Sequence, residues 1–179
     1  MKLVSGRRGT PAAQTRRKAG QKGPGRPEGT SVVRDDILDA AEELFSTLGY
    51  AGTTLREIAD QAKVTQALIN YYFGSKYGLY EAVFMRRSQI ISQQRMENLA
   101  RLQAKPGRPK VRDVVQAFLM PTLAFRSTPE GRSFLRLQAR LHTEPPQISY
   151  KLRTDAYGNS TRLYVDAVRK ALPNLPELD

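Results

Sequence analysis

The stretch that decides the fold is residues 54–76, TLREIADQAKVTQALINYYFGSK. It contains two short segments, each preceded by a threonine, Thr54 and Thr65, with a break near Lys63. The Thr54 hydroxyl can cap an amide of the first segment while the Glu57 side chain reaches back to the Thr54 backbone amide. This is the capping-box pattern of a helix start. Ser75 offers a further cap. The pattern therefore predicts two short helices, ending near residues 62 and 73, and a longer helix after them.

The hydrophobic periodicity outside this stretch predicts an all-α chain. Apolar residues at helical spacing predict a first helix over about 32–48, which Gly49 ends. Further helices are expected over about 76–102, 111–126, 128–144 and 147–172. Pro121 is expected to bend the helix over 111–126. No strand pattern of useful length is present.

The composition narrows the function classes. The chain has 179 residues, 29 of them Lys or Arg and 17 Asp or Glu, so its net charge of +12 favours nucleic acid or an anionic membrane surface. With no cysteine and one histidine, no disulfide scaffold, thiolate metal site or nucleophile–base set is available. We therefore expect neither an enzyme nor a cofactor. No stretch approaches the ~18 apolar residues of a membrane span, and the absence of cysteine is compatible with a reducing compartment, so a soluble, cytoplasmic protein is expected.

Much of the positive charge lies near the N-terminus. Residues 1–30 hold eight basic residues and one acidic residue, a net charge of +7. Few apolar side chains accompany them, which predicts a disordered basic arm over residues 1–31. Gly25-Arg26-Pro27 matches the core of an AT-hook, whose arginine enters the minor groove, and a solubilising tail is the alternative. Either arm would add sequence-independent affinity for phosphates.

Two short capped helices after a longer one describe a helix-turn-helix, whose second helix reads DNA. On that helix Ile69 and Phe73 are four residues apart and are expected to face the core. Gln66 and Asn70 then face outward, and side-chain amides pair with the adenine edge.

Other side chains of this segment have chemistry suited to DNA. Ala67 or Leu68 can meet a thymine methyl group. Hydroxyl groups on Thr65, Tyr71 and Tyr72 can reach phosphates, and Lys76 adds charge beside the free amides of the next helix.

A family resemblance is carried by Gly49-Tyr50, residues 53–59 (TTLREIA), Val64-Thr65, residues 69–76 (INYYFGSK) and Leu79. In this spacing residues 33–80 resemble the N-terminal DNA-binding domain of TetR-family regulators. The resemblance implies that the family's DNA-contacting positions fall on Thr53, Thr54, Thr65, Gln66, Ala67, Leu68, Asn70, Tyr71, Tyr72 and Lys76.

The chain departs from the usual family pattern at three positions. Lys63 stands where the turn usually has glycine, so it is expected to adopt a left-handed conformation at a cost of roughly 1 kcal/mol. Ala67 replaces a glycine, and Asn70 replaces a common tyrosine. The operator sequence therefore cannot be transferred from relatives.

After the arm over 1–31 that the composition predicts, the resemblance implies a helix-turn-helix domain over 32–78 and a helical ligand-sensing and dimerisation domain over 79–179. It implies a regulator, most often a repressor, that binds a palindromic operator as a homodimer, associates with the nucleoid through DNA and responds to a small effector. Family members usually have two further helices, so we expect a truncated chain without its main dimerisation pair.

Aromatic residues of the C-terminal region are candidate walls of an effector pocket. The candidates are Phe84, Phe118, Met120, Phe125, Phe134, Tyr150 and Tyr157, with Arg140 to orient a polar ligand. Ordinary core packing is the alternative for each aromatic residue. For the whole chain, the alternative is a nonspecific basic nucleic-acid-binding protein.

Overall fold

The computed structural model describes residues 28–172, so residues 1–27 of the predicted arm, with Gly25-Arg26-Pro27, lie outside the described residues. The described chain consists of helices and connecting turns, which confirms the all-α prediction. The helices are α1 (Glu28–Gly52), α2 (Leu55–Ala62), α3 (Gln66–Phe73), α4 (Lys76–Gln103), α5 (Val111–Ala124), α6 (Pro129–Arg140) and α7 (Pro146–Ala171).

The first helix begins at Glu28, earlier than predicted, and its regular path breaks where the sequence places its end. Gly49 has φ 78° and ψ 176°, an arrangement that costs a residue without a Cβ little. The Gly49 carbonyl accepts a hydrogen bond from the Thr53 hydroxyl at 2.8 Å. This hydrogen bond stabilises the corner at which the chain turns from α1 into α2.

The connection from α5 to α6 differs from the prediction. α5 ends at Ala124 rather than near residue 126, and a 3-10 turn, Phe125–Ser127, follows it. The helix runs through Pro121, which is buried. Thr128 then caps α6, accepting from the Gly131 amide at 3.0 Å.

α4 joins the two halves of the molecule, because it crosses the predicted boundary at residue 78. One core cluster contains Phe45 of α1, Phe84 of α4, Phe134 of α6 and Tyr157 of α7. A smaller cluster near the far end of α4 contains Leu99 and residues of α5 and α7. The helix-turn-helix segment therefore packs on the body of the protein rather than hanging from a linker.

A buried carboxylate also ties α1 to α4. Glu42 is 3% exposed and accepts hydrogen bonds from the guanidinium groups of Arg86 and Arg87. Arg86 also pairs with Asp39 at 2.8 Å. Among the described helices, none is long and apolar enough to cross a membrane.

Candidate nucleic-acid interface and effector cavity

The capping box predicted at the start of α2 is present. The Thr54 hydroxyl accepts from the Glu57 amide at 3.2 Å, and a Glu57 carboxylate oxygen accepts from the Thr54 amide at 2.8 Å. The hydrogen bonds from the Thr54 hydroxyl and amide lower the pKa of Glu57 below its ordinary value. Two otherwise unpaired amides at the helix start are thereby satisfied.

The turn between α2 and α3 contains the predicted left-handed residue. Lys63 has φ 55° and ψ 41°, and it is the sole non-glycine residue with positive φ in the described range. The Val64 amide donates to the Ala59 carbonyl at 2.9 Å and closes the end of α2. Thr65 then caps α3 by accepting from the Leu68 amide at 3.3 Å.

On α3 the buried and the exposed residues are those that the sequence predicts. Ile69 is fully buried and Phe73 is half-buried against the core. Gln66, Ala67 and Asn70 are exposed. The caps at Thr54 and Thr65 and the packing of α2 hold α3 in place. The backbone that carries the side-chain amides of Gln66 and Asn70 is therefore fixed in position.

Aromatic and basic side chains flank this face. Tyr71 is 80% exposed, a high value for a large aromatic residue, and its ring meets that of Tyr72 edge-on at 5.4 Å. Tyr72 is half-buried. The Lys76 ammonium lies over the Tyr50 ring, 4.6 Å from its centroid, which holds the charge near the start of α4.

The remaining predicted positions divide between exposed and buried. Thr54 and Thr65 are exposed, and Leu68 is half-buried. Thr53 is fully buried and donates to the Gly49 carbonyl, so the structure places it in the α1–α2 corner and not on the α3 surface.

A cavity of about 620 Å³ lies in the helical body, and it is open to solvent. Its lining residues come from α4, α5, α6, the turn after α6, and α7: Arg95, Phe118, Gln138, His142, Tyr150, Arg153, Thr154, Tyr157, Gly158, Thr161 and Arg162. The volume is typical of small-molecule sites.

The structure brings three of the predicted pocket residues, Phe118, Tyr150 and Tyr157, together in this cavity. The other candidates lie elsewhere. Phe84 and Phe134 are fully buried and pack with ring centroids 5.5 Å apart, and Phe125 lies against the core. These positions agree with the core-packing alternative, and Met120 is 49% exposed on the outside of α5.

Arg140 also lies outside the cavity lining and joins α6 to α1. Its Nε donates to the Ser46 carbonyl at 2.9 Å, and its Nη2 donates to the Thr47 carbonyl. Glu144 accepts from the Tyr50 amide at 2.8 Å. Arg140 therefore satisfies carbonyls near the end of α1.

Arg95, which is not among the residues predicted from the sequence, reaches the cavity from the buried side of α4. It falls four residues from Ile91 and from Leu99, both of which are buried. An arginine on an apolar helical stripe was the signal in the sequence that could have identified it, since a charged residue is rarely buried unless it is paired.

A helix-turn-helix held by caps and a tight turn, with exposed amide side chains on its second helix, is the arrangement of a DNA-binding transcriptional regulator. Two family models match the chain. The model "Bacterial regulatory proteins, tetR family" matches residues 37–83, and "Tetracyclin repressor-like, C-terminal domain" matches residues 116–179. The chain belongs to the TetR family of transcriptional regulators, which are not enzymes.

Curated relatives match a segment of 49 residues. The chain is 48% identical over 49 residues to "Probable HTH-type transcriptional regulator YttP" of Bacillus subtilis (strain 168), covering 27% of this chain and 24% of that protein. It is 45% identical over 49 residues to the biofilm operon icaADBC HTH-type negative transcriptional regulator IcaR of Staphylococcus aureus (strain Newman), covering 27% and 26%. The matched region thus spans about a quarter of the length of these relatives.

Solved structures share the fold over most of the chain. A tetR-family transcription regulator from Shewanella sp. PV-4 superposes with a TM-score of 0.60 at 21% identity, covering 82% of this chain and 74% of that one. HlyIIR, a hemolysin II transcriptional regulator, gives a TM-score of 0.59 at 21% identity, covering 83% and 79%. The comparisons lend no support to the expectation that the chain is truncated.

Proposed function

We propose that this protein is a ligand-responsive repressor that acts in the cytoplasm and binds a palindromic operator as a homodimer. The observation that carries the proposal is the α3 surface, where Gln66 and Asn70 are exposed four residues apart while Ile69 is buried in the core. Amide side chains on one helical face match the donor–acceptor pattern of adenine in the major groove. Repression is supported by the curated description of IcaR as a negative regulator.

The short length of α3 supports a two-fold arrangement. One α3 reaches only a few base pairs, so two copies in successive major grooves about 34 Å apart would read a longer site. The exposed Tyr71 and the threonine caps would fix the register of each copy by contacting phosphates.

The contacts between body and helix-turn-helix segment suggest how an effector would act. Arg86 and Arg87 of α4 bind Glu42 of α1, while Arg140 binds carbonyls near the end of α1. A ligand that shifts α4 or α6 would therefore move α1 and, with it, α3. Such movement would change the separation of the two reading helices and release the operator.

Selection of bound duplexes from a random pool tests the proposal directly. A repressor should enrich a palindrome and bind it about 10³ to 10⁷ times more tightly than random DNA at the same salt concentration. A nonspecific basic protein would bind every duplex with one affinity and one salt dependence. That second result would overturn the proposed function.

A further inference from the structure

Arg95 is a buried cation without an acidic partner. It is 6% exposed, and no carboxylate oxygen among residues 28–172 forms a salt bridge with it. Its Nε donates to the Phe118 carbonyl at 3.0 Å and its Nη2 to the Thr122 hydroxyl at 3.1 Å. Burial lowers the pKa of Arg95, which reflects a charge that its neighbours do not balance. Buried charges are usually paired.

The surroundings of Arg95 offer unused polar atoms and aromatic faces. The guanidinium lies 3.7 Å from the Phe118 ring centroid and 5.2 Å from that of Tyr157. The Tyr157 hydroxyl and the Gln138 side-chain oxygen are buried without a hydrogen-bond partner. Both residues line the same cavity as Arg95. A native protein rarely leaves such groups unpaired unless a ligand or water satisfies them.

Every charged residue of the cavity lining is positive. Arg153 and Arg162 join Arg95 in it, and none of its lining residues is acidic. His142 lies beside Arg153, with ring Nδ1 3.3 Å from the guanidinium. A cavity of this kind repels cations and attracts anions.

We propose that this cavity binds an organic anion, a carboxylate with an aromatic body, and that this ligand class is the effector. The carboxylate of the ligand would pair with Arg95 and accept a hydrogen bond from the Tyr157 hydroxyl. The aromatic ring of the ligand would pack against Phe118. The regulatory half of this proposal rests on the proposed repressor function, whereas the binding half is measurable without DNA.

The matched probes are 2-naphthoate and 2-naphthamide, which share a ring system and differ in charge. The chain contains no tryptophan, so the naphthyl fluorescence of either probe can be followed with little protein background. The full chain should bind 2-naphthoate more tightly than 2-naphthamide. Arg95→Gln should weaken 2-naphthoate binding by about 10- to 100-fold and change 2-naphthamide binding little, because a charge-assisted hydrogen bond is lost.

Two further variants keep the test decisive if Arg95→Gln fails to fold. Tyr157→Phe removes a hydroxyl that has no partner, so the free protein should keep its stability while 2-naphthoate affinity falls by about 3- to 10-fold. Arg101→Gln removes an exposed arginine from the same helix and should change neither affinity.

Several results would overturn the proposal: equal affinity for the two probes, no 2-naphthoate binding at millimolar concentration, or Tyr157→Phe weakening both probes alike. Operator release by 2-naphthoate is then measured on the selected palindrome. Binding without release would overturn the effector role. Failure to enrich any palindrome would overturn the repressor function and would leave the probe measurements standing.

Discussion

Asn98 of α4 donates a hydrogen bond through Nδ2 to the carbonyl oxygen of Ala117 in α5, at 3.3 Å. In a regular helix that carbonyl would accept from the amide of residue 121, but Pro121 has no N–H. The next carbonyl, of Phe118, accepts from Arg95 of α4. Two side chains of α4 therefore donate hydrogen bonds to the carbonyls that precede Pro121, which explains how α5 continues through this proline.

Removing the Asn98 donor should destabilise the protein in a way that depends on the proline. Asn98→Ala is expected to lower the free energy of unfolding by about 1 kcal/mol, because the Ala117 carbonyl loses its donor. In a Pro121→Ala background the same change should cost less, since the new amide at position 121 donates instead. Urea denaturation of the four proteins completes the cycle. Equal costs in both backgrounds would show that the two residues are not linked.

Asn70→Ala should weaken binding to the selected operator by about 1 to 3 kcal/mol and relax the preference at one base pair, because a bidentate contact to a base is lost. Asn159→Ala, which removes an exposed amide from α7, is the control and should leave DNA binding unchanged. Quantitative gel shifts on operator and random duplexes measure both effects. An equal loss on both duplexes would argue against base reading by Asn70.

Lys63→Gly should raise the free energy of unfolding by about 0.5 to 1 kcal/mol, because glycine adopts the left-handed conformation without the Cβ penalty. Lys63→Ala removes the same charge and keeps the penalty, so it should give no gain. Thermal unfolding of the two variants separates backbone strain from electrostatics. A similar gain in both would assign the effect to charge.

Glu42→Gln should lower the free energy of unfolding by about 2 kcal/mol, because it leaves two arginines beside a neutral, buried amide. Glu97→Gln breaks an exposed pair with Arg101 and should cost less than about 0.5 kcal/mol. Denaturant titration compares the two substitutions. If they cost the same, the Glu42 cluster does not contribute to holding α1 on α4.

Deleting residues 1–27 removes eight basic residues and no acidic ones. Affinity for all duplexes should fall, and the dependence of log K on log salt should become shallower, because fewer counterions are released. The ranking of operators should stay the same. Binding measured across a salt series checks this, and an unchanged slope would mean that these residues do not contact DNA.

The exposed α3 surface around Gln66 and Asn70 could largely be predicted from residues 54–76, because caps and helical periodicity depend on residues no more than about four positions apart. The capping box of Thr54 and Glu57, the Thr65 cap and the strained turn at Lys63 all appear as expected. Ile69 and its neighbour Asn70 differ in burial for the same reason, since a helix rotates about 100° per residue.

The cavity and the contacts with α1 could not be predicted in this way. Thr53 looks like its exposed neighbour Thr54 in sequence, yet it is buried because the chain turns at Gly49. Arg140 binds a carbonyl 94 residues earlier, and Arg95 meets Phe118 across two helices.

The sequence alone thus determined which segments are helices, where they are capped and which side of α3 faces solvent, because these depend on local hydrogen bonds and periodicity. Only the tertiary structure decided that Arg95 would be buried without a carboxylate and that Arg140 would bind α1. Those outcomes depend on how α4, α5, α6 and α7 pack, and packing brings together residues whose spacing along the chain carries no periodic signal.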